Sequence, residues 1–431
     1  MQMTDRRRFL TLGFGLALAG VTPALALPDE TERLQRDIDA AAALGRPYAL
    51  APRTIATRGL TLPEGIEITG TRGRSALQLL GGGPLLSARG ANRVTLANVT
   101  LSGLGAVQRR DGALVALNGV RDLAIDGCTL EAAPAIGLRL EGCGGRVTRT
   151  TIRDCGQSAL FSLDSLGLDI DANSILRCAD NGIQIWRVAQ GRDGTRIANN
   201  RISAIGARSG GDGQFGNGVS LYRAGGITVS GNQIDDCAFT AVRNNSGRDV
   251  IIAANRCGTL GETAIFCEVA FEGCVVQGNL IDGAVSGIQI VNFADHGGKA
   301  GACSGNVIRN LFAKPARSAL EHGYQSAIKV EGDVAVTGNL IEGATLIGIQ
   351  AGWGASLRDC AVQGNVVRGA PIGICVSVSP GAGAASVTGN AISGASRAAI
   401  AAMEWDRIVS ADLARDVGRF AQVRVSGNSV S

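Results

Sequence analysis

Val229-Ser-Gly-Asn-Gln-Ile234, Val276-Gln-Gly-Asn-Leu-Ile281 and Val336-Thr-Gly-Asn-Leu-Ile341 are one phrase met three times. It returns as Val362-Gln-Gly-Asn-Val-Val367 and Val387-Thr-Gly-Asn-Ala-Ile392, and Ala254-Asn255 and Gly305-Asn306 keep the beat between them. A second phrase follows, as Gly287-Ile-Gln-Ile290, Gly348-Ile-Gln-Ala351 and Gly373-Ile-Cys-Val376. Alternating apolar residues describe short strands with one buried face, and a Gly-Asn pair describes a corner. Repetition at a fixed period makes each unit one turn of a solenoid.

Tracking the first apolar residue of the second phrase gives Val115, Leu138, Leu160, Ile183, Val219, Val242, Ile265, Ile288, Ile328, Ile349, Ile374 and Ile400. Most intervals are 21 to 26 residues. A turn of ~23 residues suits three short strands, whereas propeller blades need about 40. The fold expected is all-β, a right-handed parallel β-helix of 12 or more turns over 49–431. Loop insertions are expected at 188–195, 203–217, 293–302 and 310–324, and a helical one at 404–420. Residues 27–48 hold a short helix with Leu34, Ile38 and Ala41 on one face, suited to cover the open end of the stack.

The chain has 431 residues, 62 of them Gly, with 3 Trp and a formal net charge of +4, which suits thin aliphatic layers better than a large aromatic core. No basic tract interleaved with aromatics follows residues 6–8, so nucleic acid is not an expected partner. Arg6-Arg7-Arg8-Phe9-Leu10, an apolar run to Leu27 and Ala24-Leu25-Ala26 read as a twin-arginine export signal over 1–26, cleaved after Ala26. The expected destination is the bacterial periplasm or exterior, reached folded through the twin-arginine translocase, with no stable membrane span after cleavage. No motif indicates a cofactor, although this export route permits one. Of the 11 cysteines, Cys155, Cys178 and Cys237 occupy one position of different turns and are expected as buried stacked thiols; no zinc spacing occurs. The corner asparagines Asn232, Asn255, Asn279, Asn306, Asn339, Asn365 and Asn390 are expected to form a structural amide ladder in the left-handed corner conformation.

Chemistry is expected on the strand positions that alternate with the buried isoleucines. One such row carries Gln184, Arg243, Gln289, Lys329 and Gln350; its neighbour carries Trp186, Tyr222, Asn245, Glu268 and Glu331, with Asn292 and Trp353 adjoining. Trp186 and Tyr222 offer faces for a sugar ring, and the amides of Gln184, Asn245, Gln289, Asn292 and Gln350 offer hydroxyl partners. Glu268 and Glu331, two turns or about 9–10 Å apart, have the spacing of an inverting carboxylate pair. Arg243 and Lys329 could neutralise a uronate, and the loop residues His296 and His322 are candidate proton shuttles.

The 29–44 helix, the Gly-Asn corners and the Gly-Ile-x-Ile strands together resemble the pectate-lyase-like right-handed β-helix superfamily. With the twin-arginine signal, the chain resembles the twin-arginine-translocated β-helical repeat family of bacteria. The resemblance implies a polysaccharide or oligosaccharide ligand. The superfamily's catalytic motifs do not carry over: Asp235-Asp236-Cys237 sits at a corner, and Glu321-His322-Gly323 and Asp295-His296 only echo polygalacturonase and alginate-epimerase motifs. Two functions stay open: a lyase, hydrolase or epimerase of an acidic polysaccharide, and a non-catalytic solenoid that binds glycan or cell wall.

Overall fold

The computed structural model describes residues 27–104, 106, 112–211, 213–292, 297–314 and 325–431. The signal segment 1–26, His296 and His322 lie outside the described residues. Each level of the stack gives one strand to a fifteen-stranded sheet, which starts at Tyr48–Ala49 and ends at Val423–Ser426. The remaining strands form a 28-stranded sheet with two parallel rows, one following the Gly-Asn corner and one bearing the Gly-Ile-x-Ile phrase. The chain is thus a parallel β-solenoid, as the period implies. The interior is a column of small aliphatic side chains. Ile183, Val219, Val242, Ile265, Ile288, Ile328, Ile349 and Ile374 are register partners in successive strands and are wholly buried.

Helix α1, Thr31–Ala43, lays Leu34 and Ile38 onto the first turn, where both are buried. Gln35 completes the cover by bonding to a strand edge. Its Nε2 donates to the Thr61 carbonyl at 2.8 Å, and its Oε1 accepts from the Thr61 N–H at 2.9 Å. The side-chain amide thereby takes the place of a neighbouring strand, removing the exposed edge that invites chain-to-chain pairing.

The corner ladder is longer than the repeat phrase suggests. It runs through Asn173, Asn200, Asn232, Asn255, Asn279, Asn306, Asn339, Asn365 and Asn390 to Asn428. Asn173 Oδ1 accepts the Thr150 N–H, and from Asn200 onward each Oδ1 accepts both the backbone N–H and the Nδ2–H of the asparagine one turn before; from Asn255 to Asn279 these bonds are 2.9 and 3.0 Å. Each Nδ2 also donates to a backbone carbonyl. The left-handed conformation belongs not to these asparagines but to the residue before each, such as Gly278 (φ 61°) and Ala254 (φ 55°). Glycine pays no steric penalty there, so it dominates that slot and leaves asparagine free to serve the ladder.

All eleven cysteines are free and buried. Cys178 and Cys237 share a row with Ile205 between them, so thiols and aliphatic groups alternate as fillers of similar size.

Several expected insertions take a different form. Of the expected loop 188–195, residues 188–192 belong to the Asn181–Arg192 strand, which bulges between Trp186 and Gly191 and pairs again with Ala224 and Gly225, and 193–195 lie outside any strand. Within 293–302, the strand Lys299–Ser304 already belongs to the fifteen-stranded sheet. The 404–420 segment holds only a short helix, Leu413–Asp416, and a 3-10 turn. Before them, Ala398–Glu404 and Arg407–Ser410 form an antiparallel hairpin. Alternation at Met403, Ile408 and Ser410 overrides the local helix propensity.

Candidate functional site

The alternation along the Gly-Ile-x-Ile strands holds, but the rows opposite the core are not an open surface. Gln184, Ser220, Phe266, Gln289, Lys329 and Gln350 are all buried, as are Glu268 and Glu331. The large majority of buried polar side chains have hydrogen-bond partners. The Ser158 hydroxyl bonds to Gln184 Oε1 at 2.6 Å, and the Ser326 hydroxyl bonds to Gln350 Oε1 at 2.8 Å. These two glutamines are therefore built into the wall. Gln289, wholly buried, has no hydrogen-bond partner for either amide atom among the described residues.

The candidates separate into two groups. The first surrounds a cavity of about 460 Å³ lined by Trp186, Gly213, Gln214, Ser220, Tyr222, Arg243, Asn245 and Glu268. Trp186, Tyr222, Asn245 and Glu268 are register partners on four successive strands, which makes one continuous side. Trp186 meets Tyr222 at 5.7 Å between ring centroids and Phe161 at 5.6 Å, edge-on, while its Nε1 donates to the Ser220 hydroxyl at 3.3 Å. The indole is thus fixed at both its edge and its nitrogen.

At the other end of the cavity, Glu268 accepts from Arg243 Nε at 2.7 Å, Arg243 Nη2 at 2.9 Å and Asn245 Nδ2 at 2.8 Å. The guanidinium binds the carboxylate with two parallel N–H bonds, which fixes both side chains in one plane. Arg243 also lies 4.9 Å from the Phe266 ring centre and 3.6 Å from Glu262. The loop after the Arg201–Ile205 strand forms the opposite wall. Asp180 holds it by accepting the Ser209 N–H at 2.7 Å and hydroxyl at 2.8 Å, and Asn217 Nδ2 donates to the Gly213 carbonyl at 2.8 Å. Gly213 (φ 117°) passes so close to Arg243 that a Cβ there would stand 1.7 Å from Nη1. The Gly-Gly-Asp-Gly stretch marked 203–217 in the sequence as a loop able to wall a groove, and Gly213 and Gln214 of that loop line the cavity although neither was named as a site residue. Glu262, on the Arg256–Glu268 strand, was not among the candidates either.

The second group lies one to three strands further on and does not line this cavity. Lys329 Nζ is 3.5 Å from Glu331 and 5.2 Å from the Trp353 ring centre. Burial holds the Lys329 ammonium below its ordinary pKa, with Glu331 opposing the shift. Glu331 accepts the Asn292 N–H at 3.2 Å. The sheet register keeps Glu268 and Glu331 two strands apart, each is engaged in its own ion pair, and Glu331 does not line the cavity. Among the described residues, no three His, Cys, Asp or Glu side chains converge as metal ligands.

Comparison with known proteins gives the class first: residues 85–247 match the family model of the right handed beta helix region. The chain is also similar to the N-terminal fragment of gene product 12 of bacteriophage phi29, at 13% identity and a TM-score of 0.57 over 94% of this chain and 68% of that one. It is similar to the catalytic unit of the GH87 α-1,3-glucanase of Streptomyces thermodiastaticus, at 16% identity and a TM-score of 0.50 over 94% and 66%. The A-module of the Azotobacter vinelandii mannuronan C-5 epimerase AlgE6 aligns with 94% of this chain and 96% of that one, at 15% identity and a TM-score of 0.47. Likeness at these identities is likeness of fold. No curated protein matches the chain. No helix among the described residues is long and apolar enough to cross a membrane.

Proposed function

We propose that this is an exported carbohydrate-active β-helix protein, carried by the twin-arginine route, and that the cavity between Trp186 and Glu268 seats a sugar of a longer glycan. The observation that carries this reading is the composition of that cavity. Two aromatic rings held in place stand at one end, and an ordered Asn245–Glu268–Arg243 network stands at the other. A pyranose has apolar C–H faces and a rim of hydroxyls, so it fits rings that stack and amides and carboxylates that bond. Such concave sites with a few convergent polar groups are where ligands usually bind.

Glu268 already accepts three hydrogen bonds from Arg243 and Asn245, and Glu331 does not line the cavity, so two-carboxylate hydrolysis has little geometric support. Binding is the reading the geometry supports best. A second reading, β-elimination or epimerisation of a uronate, is favoured by Arg243 beside the cavity, since a guanidinium can neutralise the sugar carboxylate.

The test is electrophoresis of the mature protein in native gels cast with polygalacturonate, alginate or α-1,3-glucan, in parallel with absorbance at 232 nm for unsaturated products. Retardation that Trp186→Ala abolishes supports glycan seating, and an absorbance rise lost in Arg243→Ala supports the eliminating form. Wild-type protein that runs unretarded in every gel and yields no product sinks the proposal.

A further inference from the structure

Trp405 occupies the first position of the two-residue loop that joins the strands Ala398–Glu404 and Arg407–Ser410, with φ 54°. Loops of this kind demand a positive φ there, and glycine, asparagine or aspartate normally supplies it. A tryptophan in that slot is strained, because a bulky residue in the left-handed region is an outlier. Burial does not compensate, since Trp405 keeps 54% of its surface exposed. Sequences break such local rules mostly where function asks for it.

The ring is nevertheless fixed. Trp405 meets Trp353 edge-on with 5.8 Å between centroids, and its benzene edge rests on Gly354, where an added Cβ would come within 2.3 Å of it. The backbone N–H of Trp405 donates to the Ser379 hydroxyl at 3.3 Å. Glu404 and Arg407 pair beside it, so the exposed indole has a charged rim. Trp353 continues the strand next to that of Lys329 and stacks against the Lys329 ammonium. From Glu268 to the strand leading to Trp353 is three strand steps, about 14 Å, and to the strand leading to Trp405 five, about 24 Å.

We propose that Trp353 and Trp405 form a second saccharide-stacking site, which takes a distal sugar of the same glycan that fills the Trp186–Glu268 cavity. The site lies on the same sheet face, further along the axis, so a polysaccharide running parallel to that axis reaches both. This inference rests on the glycan-binding reading and adds the ligand's direction and minimum length. It requires a chain of several sugars, because one or two cannot span the gap.

Trp405→Gly separates binding from folding, because glycine suits the loop better than tryptophan does. Native gels cast with polygalacturonate or alginate, run with the full mature chain, supply the readout. Trp405→Gly is expected to weaken retardation roughly tenfold, the loss appropriate to one aromatic stacking contact, with an unfolding midpoint no lower than wild type. Trp405→Phe should retain most of the retardation. If Trp405→Gly migrates like wild type while Trp186→Ala is released, the second site is refuted and the cavity reading stands. If wild type itself is not retarded, both fall together.

Discussion

Asn279, in the middle of the corner ladder, carries the most exacting prediction. Its Nδ2 donates to the Ile252 carbonyl at 2.9 Å and to Asn306 Oδ1 at 3.0 Å. Its Oδ1 accepts the Asn255 N–H at 2.9 Å and Asn255 Nδ2 at 3.0 Å. Asn279→Ala deletes four bonds, but their consequences differ. Asn255 Nδ2 keeps the Val229 carbonyl at 3.0 Å, and Asn306 Oδ1 keeps the Asn279 N–H at 2.9 Å. The buried Asn255 N–H is left with no acceptor from the ladder, and an orphaned buried donor costs about 1–3 kcal/mol. With the lost bond to Ile252 and the small void, the total comes to about 3 kcal/mol. At the end of the ladder, Asn428 makes the same kinds of contact but is half-exposed. Water can replace them there, so Asn428→Ala should cost about 1 kcal/mol. Asn279→Asp is the sharper probe: a carboxylate would turn an acceptor toward the Ile252 carbonyl and Asn306 Oδ1, whereas a protonated Asp can donate. Its deficit should shrink between pH 7 and pH 4, which the alanine variant's should not. Urea unfolding followed by circular dichroism reads all three. A mid-ladder alanine cost no larger than the terminal one would refute the ladder as a source of stability, as would an Asp variant insensitive to pH.

Two further outcomes follow from the same geometry. Gly213→Ala places a methyl group against Arg243 Nη1 in a strained backbone, so it should displace the guanidinium, weaken glycan retention about tenfold or more and lower the unfolding midpoint; unaltered retention would remove the loop from the site. Burial raises the thiol pKa of Cys128 from 9.0 to about 11, and those of Cys257, Cys360 and Cys375 to about 12. In the folded state these thiols stay protonated where the unfolded chain has ionised. Their contribution is complete below pH 9.0 and is lost progressively from there to about pH 12, so stability should fall steeply above pH 9. Cys257→Ala should flatten that slope in urea titrations at pH 8 to 10.5, and a wild-type slope of zero would contradict the assignment of buried neutral thiols.

The repeat was legible because everything it encodes is local to one period. Val276 and Ile281 face inward, Gly278 makes the corner and Asn279 meets its counterpart one turn away, all from a single phrase. Stacking identical units then aligns those positions without further instruction. Even here the tertiary structure moved one assignment, from asparagine to the preceding glycine, since only coordinates reveal which residue of a Gly-Asn pair turns left-handed.

The site was legible only in outline. Sequence period alone placed Trp186, Tyr222, Asn245 and Glu268 in one row. Which members share a space is decided by segments from outside the period: the Asp180-anchored loop that brings Gly213 onto Arg243, and the hydroxyls of Ser158 and Ser326 that tie Gln184 and Gln350 into the wall. Burial of the row opposite the core is likewise something a strand pattern does not record. Trp405 was hidden inside a stretch with helical composition, because hairpin pairing to Arg407–Ser410 overrides local propensity. The amino-acid sequence by itself determined the solenoid, its core and its ladder, since each of these repeats with the chain. The cavity, the separate ion pairs that engage Glu268 and Glu331 and the strained tryptophan came from tertiary structure alone, since each depends on a contact made once.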